Sequence, residues 1–303
     1  MCGMSQPISS VKATGLKIYN QQIYNRKKES DLTRLRHELA VVDGYDRRVR
    51  LPLGIDSLDR ALAGGLALGR VHLLSGAMQT HGAVSGFTIA LLCMLQDYLS
   101  VKKPTNNIQS INYPNQDTSP IIWCPASQRG GAGMLYGHGL AATGLDPARL
   151  LIVDTPSPSR RLAALDDILR TEGLTAVVIE YDGLQKSVDY WMRLARRAQL
   201  AAEQSGTTAF LLGAPITASG FETAWQIKPA PNFAMQSNPA LVLNSVWDLT
   251  LHRARGGRPH VCRVSWHADS TSLQAIDQTD ISSDTPVKAD LDIHFPAIYT
   301  LAI

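Results

Sequence analysis

Two kinds of hydrophobic spacing meet in residues 51–99, and the rest of the chain is organised around this stretch. Residues 55–62 carry apolar side chains at helical spacing and are followed by Gly64-Gly65, which can end a helix because glycine readily takes positive φ. Residues 70–75 (RVHLLS) form an apolar run of strand length. Beyond Gly82, apolar residues again recur at helical spacing. The pattern predicts a short helix, a strand, a glycine-containing loop and a long helix.

Further along the chain, short apolar runs alternate with amphipathic stretches. The runs predict buried strands, and the amphipathic stretches predict helices that include 166–170 and 189–204. The predicted strands are 121–124, 150–153, 176–179 and 209–212. Four prolines make 213–244 a predicted mobile loop region. Two alternating runs, 246–251 and 261–266, are joined by RARGGRPH and predict an antiparallel hairpin.

This order of elements predicts an α/β protein. Buried strands that alternate with helices are typical of a mainly parallel, doubly wound sheet, and the hairpin adds antiparallel strands at one edge. We therefore expect a core over residues 51–267, preceded by an N-terminal arm with a short helix over about 31–42.

Charge is distributed unevenly, although the formal net charge is only +3. Residues 1–50 carry ten Lys or Arg against five Asp or Glu, a net of +5, and residues 268–303 carry one Lys against six Asp, a net of −5. We interpret these ends as a basic arm and an acidic, largely flexible tail. Residues 294–303 (HFPAIYTLAI) close the tail and are too apolar for a segment that contacts only solvent.

The composition makes several classes of protein improbable. The first 30 residues contain no apolar segment of the kind found in signal peptides, and no uninterrupted apolar run reaches the roughly 18 residues that span a membrane. The four cysteines (Cys2, Cys93, Cys124 and Cys262) lack the spacing of a zinc site. We expect a cytoplasmic protein whose cysteines are structural and which has no metal site.

A strand, a glycine-containing loop and a helix follow one another in a phosphate-binding P-loop. A functional P-loop reads G-x-x-x-x-G-K-[ST], in which Lys contacts the phosphates and the hydroxyl binds Mg²⁺. Here Gly76 and Gly82 are one residue too far apart, and Ala83 and Val84 stand where Lys and Ser or Thr are needed. The loop and the helix N-terminus could still offer backbone N–H groups to an anion.

Two levels of family resemblance follow from longer motifs. LPLGIDSLDRALAGGLALGRVHLLSG resembles the entry to the core of RecA-type recombinases. LYGHGLAATGLDPARLLIVDTPS (135–157) and RRAQLAAEQSGTTAFLLGAP (196–215) resemble the ImuA family, whose members are RecA-like proteins without a standard P-loop. The resemblance extends over about 51–267 and implies a RecA-like core.

By this resemblance, Glu180 takes the place of the Walker B carboxylate, and Asp182 is a weaker candidate. The stretch that follows the strand 121–124 has no carboxylate at the position of the family's catalytic Glu. Gly76, Gly82 and Glu180 are therefore candidates for a degenerate nucleotide site, with at most a weakly bound nucleotide as cofactor and no catalytic residues. A structural role for Glu180 is the alternative.

Arginine is concentrated at the predicted hairpin turn. Arg253, Arg255, Arg258 and Arg263 surround Gly256-Gly257, which suits contact with phosphates or with the carboxylates of a partner, although a solvated turn is the alternative. Three further arginines, Arg193, Arg196 and Arg197, lie on the predicted helix 189–204, where we expect a solvated face.

The resemblance implies a non-catalytic adaptor in damage-induced mutagenesis and translesion DNA synthesis. Its implied partners are an ImuB-like relative of Y-family polymerases and an error-prone replicative-type DNA polymerase, and DNA itself is a further candidate. Two alternatives stay open. One is a RecA-like ATP-binding protein with an aberrant P-loop, and the other is a SulA-like inhibitor of cell division.

Overall fold

The structure is a computed structural model, and it describes residues 49–77, 81–101, 119–126, 135–183, 186–231 and 244–276. The described helices are α1 (Asp56–Ala61), α2 (His81–Val101), α3 (Gly137–Ala142), α4 (Pro158–Leu169) and α5 (Val188–Ser205), with a 3-10 turn at Pro147–Arg149. The described strands are β1 (Arg50–Leu51), β2 (Leu66–Ala67), β3 (Val71–Ser75), β4 (Ile121–Cys124), β5 (Leu150–Ile152), β6 (Ala176–Glu180), β7 (Thr208–Leu212), β8 (Thr223–Pro229), β9 (Val246–Ala254), β10 (His260–His267) and β11 (Ser272–Ile276).

Nine of these strands form one sheet in the order β11-β10-β9-β8-β3-β7-β6-β4-β5. The six strands from β8 to β5 pair in parallel, and β9, β10 and β11 extend the sheet antiparallel beyond β8. The short strands β1 and β2 form a separate antiparallel pair. This architecture confirms the predicted α/β class and the mainly parallel sheet with an antiparallel hairpin.

Helices cover both faces of the sheet, because successive side chains of each strand point to opposite faces. One core contains residues of α1, α2 and α3 packed against Leu74, Trp123 and Trp225 of the sheet. The other contains residues of α4 and α5 packed against Leu73 and Val177. Buried runs such as AVVI in β6 are thus apolar on both sides, as is typical of a parallel sheet.

The helix ends follow local chemistry. Ser157 precedes α4 and accepts a hydrogen bond from the Arg160 N–H, and Ser187 does the same for the Tyr190 N–H at the start of α5. Gly206 ends α5 in the left-handed region with φ 76°. Gly64 and Gly65 also take positive φ, 106° and 119°, as the sequence predicted.

One predicted loop is wrong in part. Residues 213–244 were expected to be a mobile loop, but 223–229 form β8, which pairs with β3 in the middle of the sheet. The prolines that suggested a loop lie at the ends of this strand or outside it. Pro215 precedes the strand, Pro229 ends it and Pro231 follows it, so none removes a hydrogen bond from its centre.

Two further strands differ from expectation. The prediction of a buried strand at 150–153 is corrected, because β5 is the edge strand and leaves Leu151 and Ile152 about half exposed. β11 (Ser272–Ile276) lies in the stretch expected to be a tail and forms the opposite edge of the sheet. The predicted helix at about 31–42 and residues 277–303 lie outside the described residues.

One described helix is long and apolar enough to span a membrane by length and composition. It covers Gly82–Ser100, within α2, and half of that stretch is buried inside the protein. Phe87 and Leu91 of this helix are fully buried in the core below it, as expected of a central core helix.

Candidate functional site

The candidate nucleotide-site residues lie at the carboxyl edge of the parallel strands, where open α/β sheets bind ligands. Gly76 directly follows β3, Gly82 lies in the first turn of α2, and Glu180 is the last residue of β6. Glu180 and Leu74 both pair with Leu212 of the intervening strand β7, so they lie at the same level of the sheet. The fold thus places Glu180 two strands, or about 10 Å, from the end of β3.

Both carboxylate oxygens of Glu180 accept hydrogen bonds from protein groups. Oε1 accepts from the indole Nε1 of Trp123 at 2.8 Å, and Oε2 accepts from the backbone N–H of Ala126 at 2.8 Å. Trp123 is fully buried, so its indole N–H needs an acceptor inside the protein. The carboxylate therefore joins the end of β6 to the end of β4. This is a structural role, but its partners are neither an arginine nor a helix N-terminus, the two that the sequence suggested.

Asp182 has a structural partner as well. Its carboxylate accepts from Nη1 of Arg161 at 2.7 Å, and the same nitrogen donates to the carbonyl of Glu180 at 2.9 Å. Arg161 comes from α4, is fully buried, and also donates through Nε to Thr155 at 3.1 Å. This guanidinium thus fixes the chain that follows β6, and Glu180 and Asp182 are both occupied by contacts within the protein.

The role of Arg161 was not predicted from the sequence. This residue lies ahead of the residues from which the amphipathic helix was predicted, and a single arginine within a helix carries no sequence signal of burial. Its Nη2 is buried with no hydrogen-bond partner among the described residues. Arg161 therefore supports the carboxyl edge through Nη1 and Nε alone.

A second missed group joins three strands inside the core. His72 is fully buried, with Nε2 at 2.8 Å from the carbonyl of Ala67 and Nδ1 at 2.8 Å from the hydroxyl of Thr223. The indole N–H of Trp225 donates to the same hydroxyl at 2.7 Å. Because the Ala67 carbonyl can only accept, Nε2 carries the proton of the neutral imidazole, and Nδ1 then accepts from the Thr223 hydroxyl.

Burial lowers the pKa of His72 from 6.5 to about 4. The hydrogen bond to Ala67 acts to raise this pKa, and the positive charges of Arg50 and Arg70 act to lower it further. His72 has no metal-like spacing to other residues in the sequence, and this network was not predictable from it, because Thr223 and Trp225 fell in the predicted loop.

The hairpin turn is packed against α1. The backbone N–H of Arg258 donates to the carbonyl of Ala61 at 2.9 Å, and Gly256 takes positive φ at 74°. A Cβ built on Gly257 would lie 2.0 Å from the same carbonyl oxygen, so only glycine fits at that position. The glycines predicted to form the turn are therefore also the residues that let it approach α1.

The four hairpin arginines have different environments. Arg263 forms a two-pronged ion pair with Asp248, with distances of 2.7 and 2.9 Å, and this hydrogen bonding raises its pKa. Arg253 is half-buried and donates to the carbonyl of Ala218 at 2.6 Å, and burial lowers its pKa. Arg255 and Arg258 are exposed on the turn. The structure thus separates two arginines that support the strands from two that face solvent.

Cysteine and metal chemistry is limited in the part of the chain that the structure describes. Cys93 and Cys124 are buried, and burial raises their pKa values to about 12 and about 11. Both thiols are therefore protonated at neutral pH. Among the described residues, no group of three or more His, Cys, Asp or Glu side chains could hold a metal ion.

The fold and these contacts define an α/β protein with a mainly parallel sheet, in which Glu180 and Asp182 at the carboxyl edge accept hydrogen bonds from other parts of the same chain. No family model matches the sequence. Two known relatives are both called Protein ImuA, from the NA1000/CB15N and ATCC 19089/CB 15 strains of Caulobacter vibrioides. Each is 28% identical over 225 residues, which cover 69% of this chain and 80% of the relative. The chain is a homologue of these proteins, which agrees with the resemblance to the ImuA family in its sequence.

Proposed function

We propose that this protein is a non-catalytic, RecA-like adaptor of the ImuA/ImuB mutagenesis system. Its homology to Protein ImuA supports a role in that system. In this proposal it works in the cytoplasm in damage-induced mutagenesis and translesion DNA synthesis. It recruits or regulates an ImuB-like relative of Y-family polymerases and an error-prone replicative-type DNA polymerase.

The engagement of Glu180 is the observation that best supports a non-catalytic role. A Walker B carboxylate needs its oxygens to hold Mg²⁺ and its water ligands, whereas both oxygens of Glu180 accept hydrogen bonds from Trp123 and Ala126. The sequence adds that Ala83 and Val84 replace the Lys and the hydroxyl of a P-loop. Phosphoryl transfer depends on positioning and charge stabilisation, so the loss of these groups removes most of what the reaction needs.

One observation favours weak nucleotide binding as a second candidate function. β3, Gly76 and α2 follow one another in the order of a phosphate-binding loop, and Glu180 lies at the same edge of the sheet. Backbone N–H groups near Gly76 and the first turn of α2, around Gly82, could donate hydrogen bonds to a phosphate without a lysine. This candidate would keep the site as a binding site and still lack hydrolysis.

Two measurements on the purified chain distinguish these candidates. The first is steady-state ATP hydrolysis with Mg²⁺, and the second is titration with a fluorescent ATP analogue. We expect no hydrolysis above background. A saturable fluorescence change would support the second candidate, and no change would favour the adaptor alone. Turnover at the rate of ordinary RecA-like ATPases, lost in Glu180→Gln but kept in the exposed control Glu172→Gln, would contradict the adaptor proposal.

The adaptor role is tested in cells. Epitope-tagged protein is recovered after DNA damage, and the co-purifying proteins are identified by mass spectrometry. We expect an ImuB-like protein and a replicative-type polymerase, and we expect loss of damage-induced mutations when the gene is deleted. A deletion strain with normal induced mutation would exclude this function.

A further inference from the structure

The solvent-facing side of α5 carries apolar side chains that the fold leaves uncovered. Val188, Met192 and Leu200 are 62%, 51% and 53% exposed, although they lie on a helix whose other face is fully packed. With Arg196 they recur every four residues, so they form one row along the helix. Exposed apolar residues that cluster on one surface, rather than being scattered singly, mark an interaction site.

Positive charge borders this row. Arg193, Arg196 and Arg197 are all exposed, and none of them forms an ion pair with another residue in the described parts of the chain. The acidic residues nearby are few, since Glu203 pairs with Arg70 and only Asp189 lies in the first turn. We call the surface formed by Val188, Met192, Leu200 and the three arginines the α5 face. It fits a ligand that is both acidic and apolar.

The last part of this sequence has that composition. Residues 277–303 contain five Asp against one Lys, a formal net charge of −4, and their last ten residues read HFPAIYTLAI. The acidic residues precede the apolar ones, so one extended segment can offer carboxylates to the arginines and apolar side chains to Met192 and Leu200.

The fold also puts the start of this segment within reach. Strand pairing relates the last residue of β11 to β3. Ile276 lies level with Lys228 of β8, through Arg263 and Asp248 of the strands between them. Ser75 at the end of β3 pairs with Gln226, so β11 ends two residues beyond the carboxyl end of β3. α5 begins at the same edge, and four inter-strand spacings, about 19 Å, separate β11 from the strand β3 beneath it. A chain of 27 residues can span up to about 90 Å.

We propose that residues 277–303 dock on the α5 face of the same chain, with their aspartates against Arg193, Arg196 and Arg197 and their apolar end against Met192 and Leu200. The proposal does not depend on the function proposed above.

Photo-cross-linking in the full-length chain tests this contact. Benzoylphenylalanine is placed at position 192 on the α5 face, and the matched control carries it at position 136, where Tyr136 is 69% exposed just before α3. Tryptic peptides are then identified by mass spectrometry. We expect position 192 to cross-link to residues 277–303 within a monomer, and position 136 not to do so.

Charge reversal gives an independent measurement. Arg193→Glu, Arg196→Glu and Arg197→Glu together should lower the cross-link yield from position 192 about tenfold, since three exposed ion pairs are worth about 1.4 kcal/mol in total. Asp277→Lys, Asp280→Lys and Asp284→Lys in the same chain should restore it. Reversal of Arg255 and Arg258 on the hairpin turn serves as the charge control and should leave the yield unchanged.

Four results would overturn the proposal. The first two are the absence of a cross-link from position 192 to residues 277–303 and an equal yield of that cross-link from position 136. The other two are cross-links that join two chains and a yield that does not change when the charge of the three arginines is reversed. Circular dichroism and thermal unfolding of every variant establish that the fold is intact before yields are compared.

Discussion

The carboxylate of Glu180 accepts a 2.8 Å hydrogen bond from the indole N–H of Trp123, a side chain with no solvent exposure. This contact links the ends of β6 and β4 at the edge where the sequence suggested a nucleotide site. A residue placed by resemblance at a Walker B position thus acts in this fold as an acceptor for two protein donors.

The first prediction concerns the stability that Glu180 provides. Glu180→Ala should lower the free energy of unfolding by about 2 kcal/mol, because it leaves the buried indole N–H of Trp123 without an acceptor. Glu180→Gln should cost less, since an amide oxygen can still accept from Trp123. Urea unfolding followed by tryptophan fluorescence measures both changes.

The exposed Glu172 gives a control of the same residue type, and Glu172→Ala should change the free energy of unfolding by less than about 0.5 kcal/mol. If Glu180→Ala were as harmless as Glu172→Ala, the hydrogen bonds to Trp123 and Ala126 would not support the fold, and a ligand-binding role for Glu180 would gain weight.

The second prediction is a loss of stability in acid that comes from His72. Its pKa is about 4 in the folded protein and 6.5 when exposed, so the unfolded chain takes up a proton first as the pH falls. The stabilisation is complete above pH 6.5 and is lost progressively as the pH falls to about 4. Over that range the loss amounts to about 3 kcal/mol.

Unfolding free energies measured between pH 7 and pH 4 test this contribution. His72→Gln should lower by about one the number of protons that the chain takes up on unfolding between pH 6.5 and pH 4, whatever its effect on stability at pH 7. Equal slopes for the original chain and His72→Gln would show that His72 does not titrate in this way.

The sequence was sufficient for most of the parallel sheet, because its strands are apolar on both faces and stand out as continuous runs such as AVVI in β6. It was insufficient for β8, where a half-polar strand lies between prolines and the local composition resembles a loop. It also placed β5 as a buried strand, because an apolar run does not show whether a strand lies at the edge of a sheet.

The candidate site was predictable in position but not in contacts. The order of strand, loop and helix placed Gly76 and Gly82 at the carboxyl edge of the sheet, and the end of a predicted strand placed Glu180 there, where the fold also has them. The partners of Glu180 and the burial of Arg161 depend on residues 54 and 19 positions away in the chain. Local spacing carries no information about such distant pairs.

The third prediction concerns the contact between the hairpin turn and α1. Gly257→Ala should lower the free energy of unfolding by about 2 kcal/mol, because the added methyl group would lie 2.0 Å from the carbonyl oxygen of Ala61 and force the turn away. The hydrogen bond from the Arg258 N–H to that carbonyl would be lost with it. Thermal unfolding measures the change.

Gly82→Ala is the matched control, since no atom lies within 4 Å of a Cβ at that position and the residue is helical. It should raise stability by up to about 1 kcal/mol through helix propensity. If Gly257→Ala also left stability unchanged or raised it, the turn would not be held against α1.

The last prediction separates the two exposed hairpin arginines from the two that support the strands. Arg255 and Arg258 face solvent on a turn held against α1, so we expect them to form a contact surface for DNA or a protein partner. If DNA is bound, Arg255→Ala with Arg258→Ala should lower the log–log salt slope of binding by about two, whatever the DNA sequence. If a protein is bound, the same pair should weaken the complex at every salt concentration, chiefly through faster dissociation.

Arg263→Ala provides the comparison, because this arginine is already paired with Asp248. It should leave the salt slope of DNA binding unchanged and lower the stability of the hairpin slightly, as expected for a partly exposed ion pair. DNA titrations at two salt concentrations, partner pull-down and thermal unfolding are measured on the same three proteins. Unchanged binding by the Arg255 and Arg258 variant, with its fold intact, would show that the turn is only solvated surface, and the contact surface would then have to be sought elsewhere.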